Sequence, residues 1–483
     1  MPERNGGATT LIRNAEVIVA LDERAKRHVY LTGGDVAFAD GALRHVGRDY
    51  AGPADRVIDG AGLMVMPGLV NIHSHPSSEP KNKGITDEIG SPGLYHSTLY
   101  EYLPALVIDE AGARAAARVA LAELALSGVT TVVDLSVAYD GWLDLLAETG
   151  LRAVVAPMVR SARWFTRNGH LVEYEWDEAA GERALADALA VIDRARQHPS
   201  GRLSGMVAPA QIDTCTPRLI RDSFAEAERR GLAWQIHAAQ SVVEFHEITR
   251  RHGVTPVQWL AQLGVLSGRS IIGHGIFLDD HPRTRWWTDR DLSLLAEAGT
   301  TVAHCPTVFL RRGIALRDFG RYRRAGVRLG LGTDTYPHNM LEEMRHAAYA
   351  ARLVAETPRT LSTADVFHAA TVGGAEALGR DDIGRLARGC RADLVLVDLR
   401  HPAMRPARDP LRSLVYSAAE RAVRSVFVDG EEIVRQGRVL TIDLEAAAAE
   451  LEAAQARMLA RVPERDRARR SIDELAPPVL PHA

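Results

Sequence analysis

Residues 66–75 read MPGLVNIHSH and contain the pattern that decides the fold. A short apolar run leads into two histidines, His73 and His75, that are separated by one residue. In an extended strand, residues i and i+2 point to the same face, so both imidazoles face the same side at the carboxyl end of the strand. We therefore predict a buried strand over residues 66–72 that ends in a pair of candidate metal ligands.

Short apolar runs of this kind alternate with longer helical stretches along the middle of the chain. This alternation is typical of a parallel sheet covered by helices. The predicted strands are residues 66–72, 129–135, 153–159, 203–208, 233–237, 270–274, 301–304 and 328–332. Eight such strands match a closed (β/α)8 TIM barrel. The alternative, a doubly wound open sheet, lacks the GxGxxG that would follow its first strand.

Both ends of the chain carry short β patterns punctuated by glycine. They lie at residues 10–20, 35–39, 43–46 and 57–60, and again at 392–398 and 423–434. We predict that the two ends build one small β-sandwich beside the barrel, within an α/β fold class. The domains are then residues 1–65, first part of the sandwich; 66–388, the barrel; 389–440, second part of the sandwich; and 441–483, a C-terminal helix and tail.

Polar residues recur where the later predicted strands end. His237 ends strand five, His274 ends strand six, His304 ends strand seven, and Asp334 follows strand eight. The carboxyl ends of barrel strands meet at one rim, where these barrels place their active sites. A packing role explains any one of these histidines but not the whole group. The sequence therefore predicts a metal site at this rim.

Together these segments resemble the amidohydrolase superfamily, in particular its cytosine deaminase and triazine chlorohydrolase branch (ATZ/TRZ-like hydrolases). The resemblance implies that His73, His75, His237 and Asp334 hold one divalent metal ion, zinc or else iron, cobalt or manganese. It also implies that His274 hydrogen-bonds the attacking water. The motifs that carry it are MPGLVNIHSH at 66–75, His237, GHGIFLD at 273–279, AHCP at 303–306, LGTD at 331–334 and GCRADLV at 389–395.

The chemistry of these residue types fits this division of roles independently. Three imidazoles and one carboxylate leave a coordination position for water, and a divalent ion lowers the pKa of such a water from about 15.7 toward about 7. Asp334 can take the proton while His274 orients the water.

Binuclear members of the superfamily bridge two metal ions with a carboxylated lysine. The chain has no lysine after Lys83, so we predict a mononuclear centre. The predicted catalytic residues are Asp334, His274, Gln240 and His304.

Three positions depart from the motifs of the branch and bear on the substrate. Gln240 stands where its deaminases carry a glutamate that protonates a ring nitrogen. PAQIDT at 209–214 replaces PHAPYT and loses a substrate-contacting histidine, and Thr307-Val308 replaces Ser-Asn. A neutral amide cannot exchange a proton as a carboxyl group does, which disfavours attack on an aromatic ring carbon. Alternatively, Asp213 or Glu244 supplies the missing acid.

We therefore predict a metal-dependent hydrolase of a C–N or related carbamoyl bond in an amide, urea, carbamate or thiocarbamate. The alternative is a deaminase or dechlorinase of an aminated or chlorinated N-heterocycle such as a pyrimidine, purine or triazine. A remote alternative is a non-catalytic barrel protein.

The segment 76–103 and the residues after strand three lie where a substrate would bind. The candidate substrate-binding residues are Arg160, Trp164, Phe165, Gln211 and His338.

The composition of the chain argues against a nucleic acid or a membrane as its binding partner. The 483 residues carry 58 basic and 62 acidic side chains, without the basic excess typical of a nucleic-acid-binding surface. No apolar run approaches the length of a membrane span. The start, MPERNGG, has no apolar signal segment, and the three cysteines are widely spaced. We expect a cytoplasmic protein with a small-molecule substrate and no nucleic-acid or membrane partner. The resemblance also implies that the protein forms a homo-oligomer, either a dimer or a larger assembly.

Overall fold

All strands but one hairpin form two assemblies, a barrel in the middle of the chain and a sheet made from its two ends, in a computed structural model that describes residues 8–480. The strands are β1 Thr10–Asp22, β2 Arg27–Ala39, β3 Ala42–Gly47, β4 Arg56–Asp59, β5 Leu63–Pro67, β6 Leu69–Ser74, β7 Val129–Ser136, β8 Arg152–Val159, β9 Ala162–Phe165, β10 Glu173–Trp176, β11 Leu203–Gly205, β12 Ala208–Pro209, β13 Trp234–Ala238, β14 Ser270–His274, β15 Thr301–His304, β16 Arg328–Leu331, β17 Leu394–Asp398, β18 Val423–Val428, β19 Glu431–Arg435 and β20 Arg438–Val439.

Helices follow most of the barrel strands. They are α1 Glu110–Leu126, α2 Trp142–Glu148, α3 Glu178–Arg196, α4 Pro217–Arg230, α5 Val242–His252, α6 Pro256–Gln262, α7 Asp291–Glu297, α8 Pro306–Leu310, α9 Phe319–Arg324, α10 Met340–Ala355, α11 Thr363–Ala369, α12 Val372–Ala377, α13 Pro410–Ser413, α14 Leu444–Ala460, α15 Val462–Arg465 and α16 Ile472–Leu475. Short 3-10 or π turns occupy Pro80–Asn82, Thr98–Tyr102, Pro402–Met404, Leu414–Ala418 and Ala419–Ala422. In the part of the chain that the structure describes, no helix is long and apolar enough to cross a membrane.

The barrel consists of two parallel sheets whose edges meet. One sheet has the order β11-β8-β7-β6, with β12 also on β8, and the other has the order β13-β14-β15-β16. Parallel bridges between Ser74 and Asp334 and between Val207 and Trp234 join their edges. The α/β fold class predicted from the sequence is confirmed, and the bridged edges give the closed arrangement of a (β/α)8 barrel.

Strands from both chain ends pair in one nine-stranded sheet, whose main order is β20-β19-β18-β17-β5-β1-β2-β3. The sheet folds over, because Phe38 on β2 and Phe427 on β18 lie four positions apart in this order and yet pack with ring centroids 5.6 Å apart. The four domain boundaries drawn from the sequence stay a prediction. The first seven and last three residues of the outer ranges lie outside the described residues.

Three local features differ from the sequence prediction. The strand predicted over 66–72 is divided, since Met66 pairs with Val395 in the end sheet and the barrel strand begins at Leu69. Gly68 separates the two, and a Cβ there would overlap the side chain of Thr130. Strand four is interrupted between β11 and β12. The hairpin β9–β10 was not predicted, because its short polar strands lack a buried apolar run.

Arg152 links the barrel to the end sheet through buried ion pairs. It is buried at the start of β8, and its guanidinium donates to both carboxylate oxygens of Asp393 at 3.1 Å and to Asp429 at 2.7 Å. These charges raise the pKa of Arg152 against the opposing effect of burial. Removing one partner of a buried ion pair leaves the other charge desolvated and uncompensated.

We expect Arg152→Met to lower the free energy of unfolding by about 3–5 kcal/mol, as measured by urea denaturation. Arg461→Ala is the matched control, because its ion pair with Glu464 is exposed (59% and 66% of the two side chains). That control should lose less than about 1 kcal/mol. Equal losses in the two variants would contradict a fastening role for Arg152.

Candidate metal centre and active-site cavity

Five predicted site residues meet at the carboxyl rim of the barrel. His73 lies on β6 and His75 just after it, His237 lies on β13, His274 ends β14, and Asp334 follows β16. Nε2 of His75 lies 3.3 Å from Nε2 of His237 and 3.2 Å from Oδ1 of Asp334. Nε2 of His73 and Nε2 of His274 each lie 3.6 Å from a carboxylate oxygen of Asp334. The structure thus gathers three imidazoles, a carboxylate and a fourth imidazole around one point.

Hydrogen bonds on the far side of the rings set which nitrogen faces this point. Nδ1 of His75 and Nδ1 of His237 each lie 2.7 Å from a backbone carbonyl oxygen. A carbonyl only accepts, so both Nδ1 atoms carry the proton and both Nε2 lone pairs face the cluster. Nδ1 of His73 contacts Oε1 of the buried Gln235, while Nε2 of His73 is buried without a hydrogen-bond partner.

The histidines of the cluster surround the carboxylate of Asp334, which raises the pKa of His75 against the opposing effect of burial. Burial lowers the pKa of His237 and of His274 well below the usual value. Burial opposes ionisation of Asp334, but the surrounding histidines hold the pKa of its carboxyl well below its usual range. Neutral imidazoles and an ionised carboxylate are the protonation states in which these side chains bind metal ions.

These residues fit a divalent metal ion. The ligand nitrogens of His73, His75 and His237 lie within 4.8 Å of one another, and nitrogen and carboxylate donors suit zinc. A second trio, His73, His274 and Cys305, also lies within 4.8 Å. Burial raises the pKa of the Cys305 thiol well above its usual value, which disfavours the thiolate that a metal would need.

A cavity of about 530 Å³ opens above the cluster. Of the predicted substrate-binding residues, Arg160, Trp164 and Gln211 line it, and so does Gln240. Nε2 of Gln240 is buried without a hydrogen-bond partner, and the side chain of Gln240 lies near enough to Glu244 to oppose the raised pKa of that carboxyl. Phe165 lies instead in a neighbouring depression of about 250 Å³.

Two other predicted site residues lie away from the cavity. His304 is buried, and its ring packs against Phe319 with centroids 5.9 Å apart. His338 is fully buried, with Nδ1 3.8 Å from Glu123. Neither lines the cavity. A side chain at the end of a barrel strand can face the rim or the helix layer, and strand spacing alone does not distinguish the two.

Asp213 and Glu244, the two acids suggested to supply the proton in place of Gln240, also point away from the cavity. Asp213 accepts hydrogen bonds from Nε1 of Trp164 at 2.9 Å and from the hydroxyl of Tyr174 at 2.8 Å. Glu244 accepts the backbone N–H of Ala239 at 2.6 Å. Neither carboxylate lines the cavity. Burial raises the pKa of both, and they position neighbouring groups rather than face a substrate.

Sequence reasoning did not identify Glu79, His96 and Arg312, three ionisable residues that line the cavity. Glu79 and His96 come from the long loop after β6, and Arg312 follows α8. The loop had been assigned to the pocket as a whole. Its individual side chains follow no period, however, so nothing in the sequence indicated which of them face inward.

Comparison with protein families gives one match that spans most of the chain. Residues 64–433 match the model described as "Amidohydrolase family". The chain is also 31% identical over 426 residues to the 5-methylthioadenosine/S-adenosylhomocysteine deaminase of Natronomonas pharaonis. That alignment covers 87% of this chain and 92% of the relative.

Two solved structures are similar over nearly the whole chain. An adenosine deaminase from Xanthomonas campestris with bound zinc superposes with a TM-score of 0.79 at 25% identity, over 94% of this chain and 99% of that one. A triazine hydrolase from Arthobacter aurescens superposes with a TM-score of 0.76 at 23% identity, over 93% and 99%. The second likeness concerns the fold alone.

Proposed function

The chain belongs to the amidohydrolase family and is a metal-dependent hydrolase of carbon–nitrogen bonds other than peptide bonds, and from this premise we propose that it deaminates a purine of the adenosine type. The observation that carries the proposal is the convergence of four histidines and Asp334 at one cavity, in a chain similar to a 5-methylthioadenosine/S-adenosylhomocysteine deaminase over 87% of its length. This choice follows the alternative, rather than the main, prediction from the sequence.

We propose His73, His75, His237 and Asp334 as the ligands of one divalent ion, with zinc as the first candidate. When bound, the ion supplies a water that is deprotonated near neutral pH. Asp334, ionised within the cluster, accepts the water proton and passes it to the departing amine. His274 stays neutral and holds the attacking water by hydrogen bonding. Hydroxide from this water adds to the ring carbon as the neighbouring ring nitrogen is protonated. The C–N bond then breaks and ammonia leaves, while the hydroxyl proton of the adduct returns to the acid that protonated the ring.

Ring attack also needs a proton at the neighbouring ring nitrogen. Gln240 can donate a hydrogen bond to that nitrogen through its unpartnered Nε2 but cannot transfer a proton. Among the described residues, Glu79 and Asp334 are the only carboxylates lining the cavity. Glu79 accepts a hydrogen bond from Nδ2 of Asn82 at 3.2 Å, which orients it. We therefore assign protonation of the ring to Glu79.

Gln240 favours a second candidate function, hydrolysis of an amide, urea, carbamate or thiocarbamate. Addition to a carbonyl carbon can be stabilised by a metal ion without an acid at the position of Gln240. In this alternative the Nε2 of Gln240 donates a hydrogen bond to the substrate carbonyl. Asp334 again delivers the proton to the departing amine.

A substrate panel separates the two candidates. We expect the zinc-loaded protein to release ammonia from 5′-methylthioadenosine, S-adenosylhomocysteine or 5′-deoxyadenosine, measured by the absorbance change of the purine and by an ammonia assay. Amine release from aryl amides, phenylureas and thiocarbamates is assayed in parallel. Faster cleavage of any carbonyl compound than of every purine would overturn the deaminase proposal in favour of the second candidate.

The remaining expectations concern the context of the reaction. A small-molecule substrate fits the dimensions of the cavity. We keep the cytoplasmic location, the absence of a nucleic-acid partner and a homo-oligomer of two or more chains as predictions. Size-exclusion chromatography with light scattering measures the last of these.

A further inference from the structure

The cavity carries more positive than negative side chains. Arg160, Arg163 and Arg312 line it, whereas its carboxylates are Glu79 and Asp334. Asp334 belongs to the histidine cluster, so its charge is already matched there. None of the three guanidiniums forms an ion pair with a carboxylate of the described residues. A positively charged cavity attracts an anionic ligand and holds it more strongly as water is excluded.

Arg312 differs from the other two arginines in how little water reaches it. Arg160 and Arg163 are exposed, whereas Nε of Arg312 is buried without a hydrogen-bond partner. Its Nη1 donates to the carbonyl oxygen of Val308 at 2.8 Å. Burial is also the main cause that lowers the pKa of Arg312. The carboxylates of Glu79 and Asp334 oppose this shift, but the buried Nε–H still lacks the acceptor that a buried charged donor normally has.

His96 lies close to Arg312 and, like it, has a buried polar atom that forms no hydrogen bond. Its Nδ1 is buried without a hydrogen-bond partner. Burial and the nearby charge of Arg312 lower the pKa of His96 to about 3, so the ring is neutral and carries one N–H. Phe309 and Tyr100 flank the ring, each with a centroid distance of 6.2 Å. The backbone of His96 is left-handed (φ 60°), a conformation that non-glycine residues adopt mainly where the surrounding structure imposes it.

We propose that Arg312 and His96 form a subsite that binds an oxyanion of the substrate, a carboxylate or a phosphate. The guanidinium supplies the charge and the Nε–H donor, and the imidazole supplies a second N–H donor. The proposal rests on the deaminase function above and narrows it. The preferred substrates are adenine nucleosides whose 5′ substituent is anionic, rather than neutral ones.

Steady-state kinetics on three adenine nucleosides test the subsite. The substrates are 5′-methylthioadenosine, which has no anionic group, S-adenosylhomocysteine, which has a carboxylate, and adenosine 5′-monophosphate. We expect Arg312→Met to raise KM about 10- to 100-fold for whichever anionic substrate is used, as loss of a charged hydrogen bond implies. The KM for 5′-methylthioadenosine should change less than about twofold. His96→Phe keeps the ring packing and should raise the same KM about 2- to 10-fold.

Arg311→Gln is the matched control. Arg311 is adjacent in sequence but does not line the cavity, since it pairs with Asp87 and lies over the ring of Tyr336. This variant should keep the KM of all three substrates. Equal KM increases for neutral and anionic substrates in Arg312→Met would overturn the subsite and leave the deaminase function standing. The substrate that responds identifies carboxylate or phosphate as the bound group.

Absence of deamination with all three nucleosides would contradict the proposed function, and a binding measurement then decides the subsite separately. Calorimetric titration of the metal-loaded protein with inorganic phosphate and with acetate should show binding of at least one anion that Arg312→Met weakens at least tenfold and Arg311→Gln does not. Equal affinities in the wild type and Arg312→Met, or no binding of either anion, would overturn the subsite.

Discussion

Replacing His73 with alanine is expected to lower turnover by about 10³-fold or more, because a bound ion contributes several kcal/mol of transition-state stabilisation. His73 is buried, and its unpartnered Nε2 faces the cluster. Asp334→Asn should have an effect at least as large, since it removes both a proposed ligand and the proposed proton carrier. Metal content by elemental analysis and kcat on the best substrate are measured on the same samples. The wild type should hold about one ion per chain.

The control for His73→Ala is His198→Ala, which removes a partly buried histidine that contacts Ser200 and Asp144 and does not line the cavity. It should keep both metal and turnover. Substantial activity in His73→Ala or Asp334→Asn with unchanged metal occupancy would refute the ligand assignment. Two tightly bound ions per chain in the wild type would refute the mononuclear centre.

Replacing Glu79 with glutamine is expected to lower deamination of a purine by about 10²- to 10⁴-fold, the usual contribution of a general acid. The variant keeps the size of the side chain and a hydrogen bond to Asn82, so the loss reports on proton transfer. Gln240→Glu, in the Glu79→Gln background, should restore part of the rate, because it places a carboxyl group in the same cavity. Ammonia release is the measurement.

Glu88→Gln is the control in the same loop, since Glu88 is exposed and does not line the active-site cavity. It should leave the rate unchanged. If Glu79→Gln deaminates purines within about threefold of the wild type, Glu79 is not the acid. If Glu79→Gln lowers hydrolysis of a carbonyl substrate as strongly as it lowers deamination, its role is structural rather than that of a ring-specific acid.

Much of the site could be predicted because the barrel converts sequence position into spatial position. Each buried run becomes a parallel strand, and the residue that ends it comes to the carboxyl rim. His73, His75, His237, His274 and Asp334 were therefore predicted to converge without any knowledge of the loops. His304 obeyed the same rule in sequence but faces Phe319 instead, because the side on which the last residue of a strand emerges depends on how the strand ends.

The residues that face the substrate could not be predicted in the same way, because their orientations do not follow from strand position. Asp213 and Glu244 were reasonable acids in sequence, being close to the strand-four and strand-five ends. The structure turns Asp213 toward Trp164 and Tyr174 and Glu244 toward backbone N–H groups. These hydrogen-bond partners, rather than the cavity, decided both orientations.

The sequence by itself determined the alternation of buried strands and helices, the β patterns at the two ends and the histidines at the strand ends, because these follow from apolar periodicity and from motifs of a few adjacent residues. Only the tertiary structure decided that Glu79, His96 and Arg312 share one cavity with Gln240. These residues come from three loops, one of which carries both Glu79 and His96, and packing against the barrel rim sets the paths of the loops. No periodic pattern encodes such paths, so contacts between loops become visible only in the folded chain.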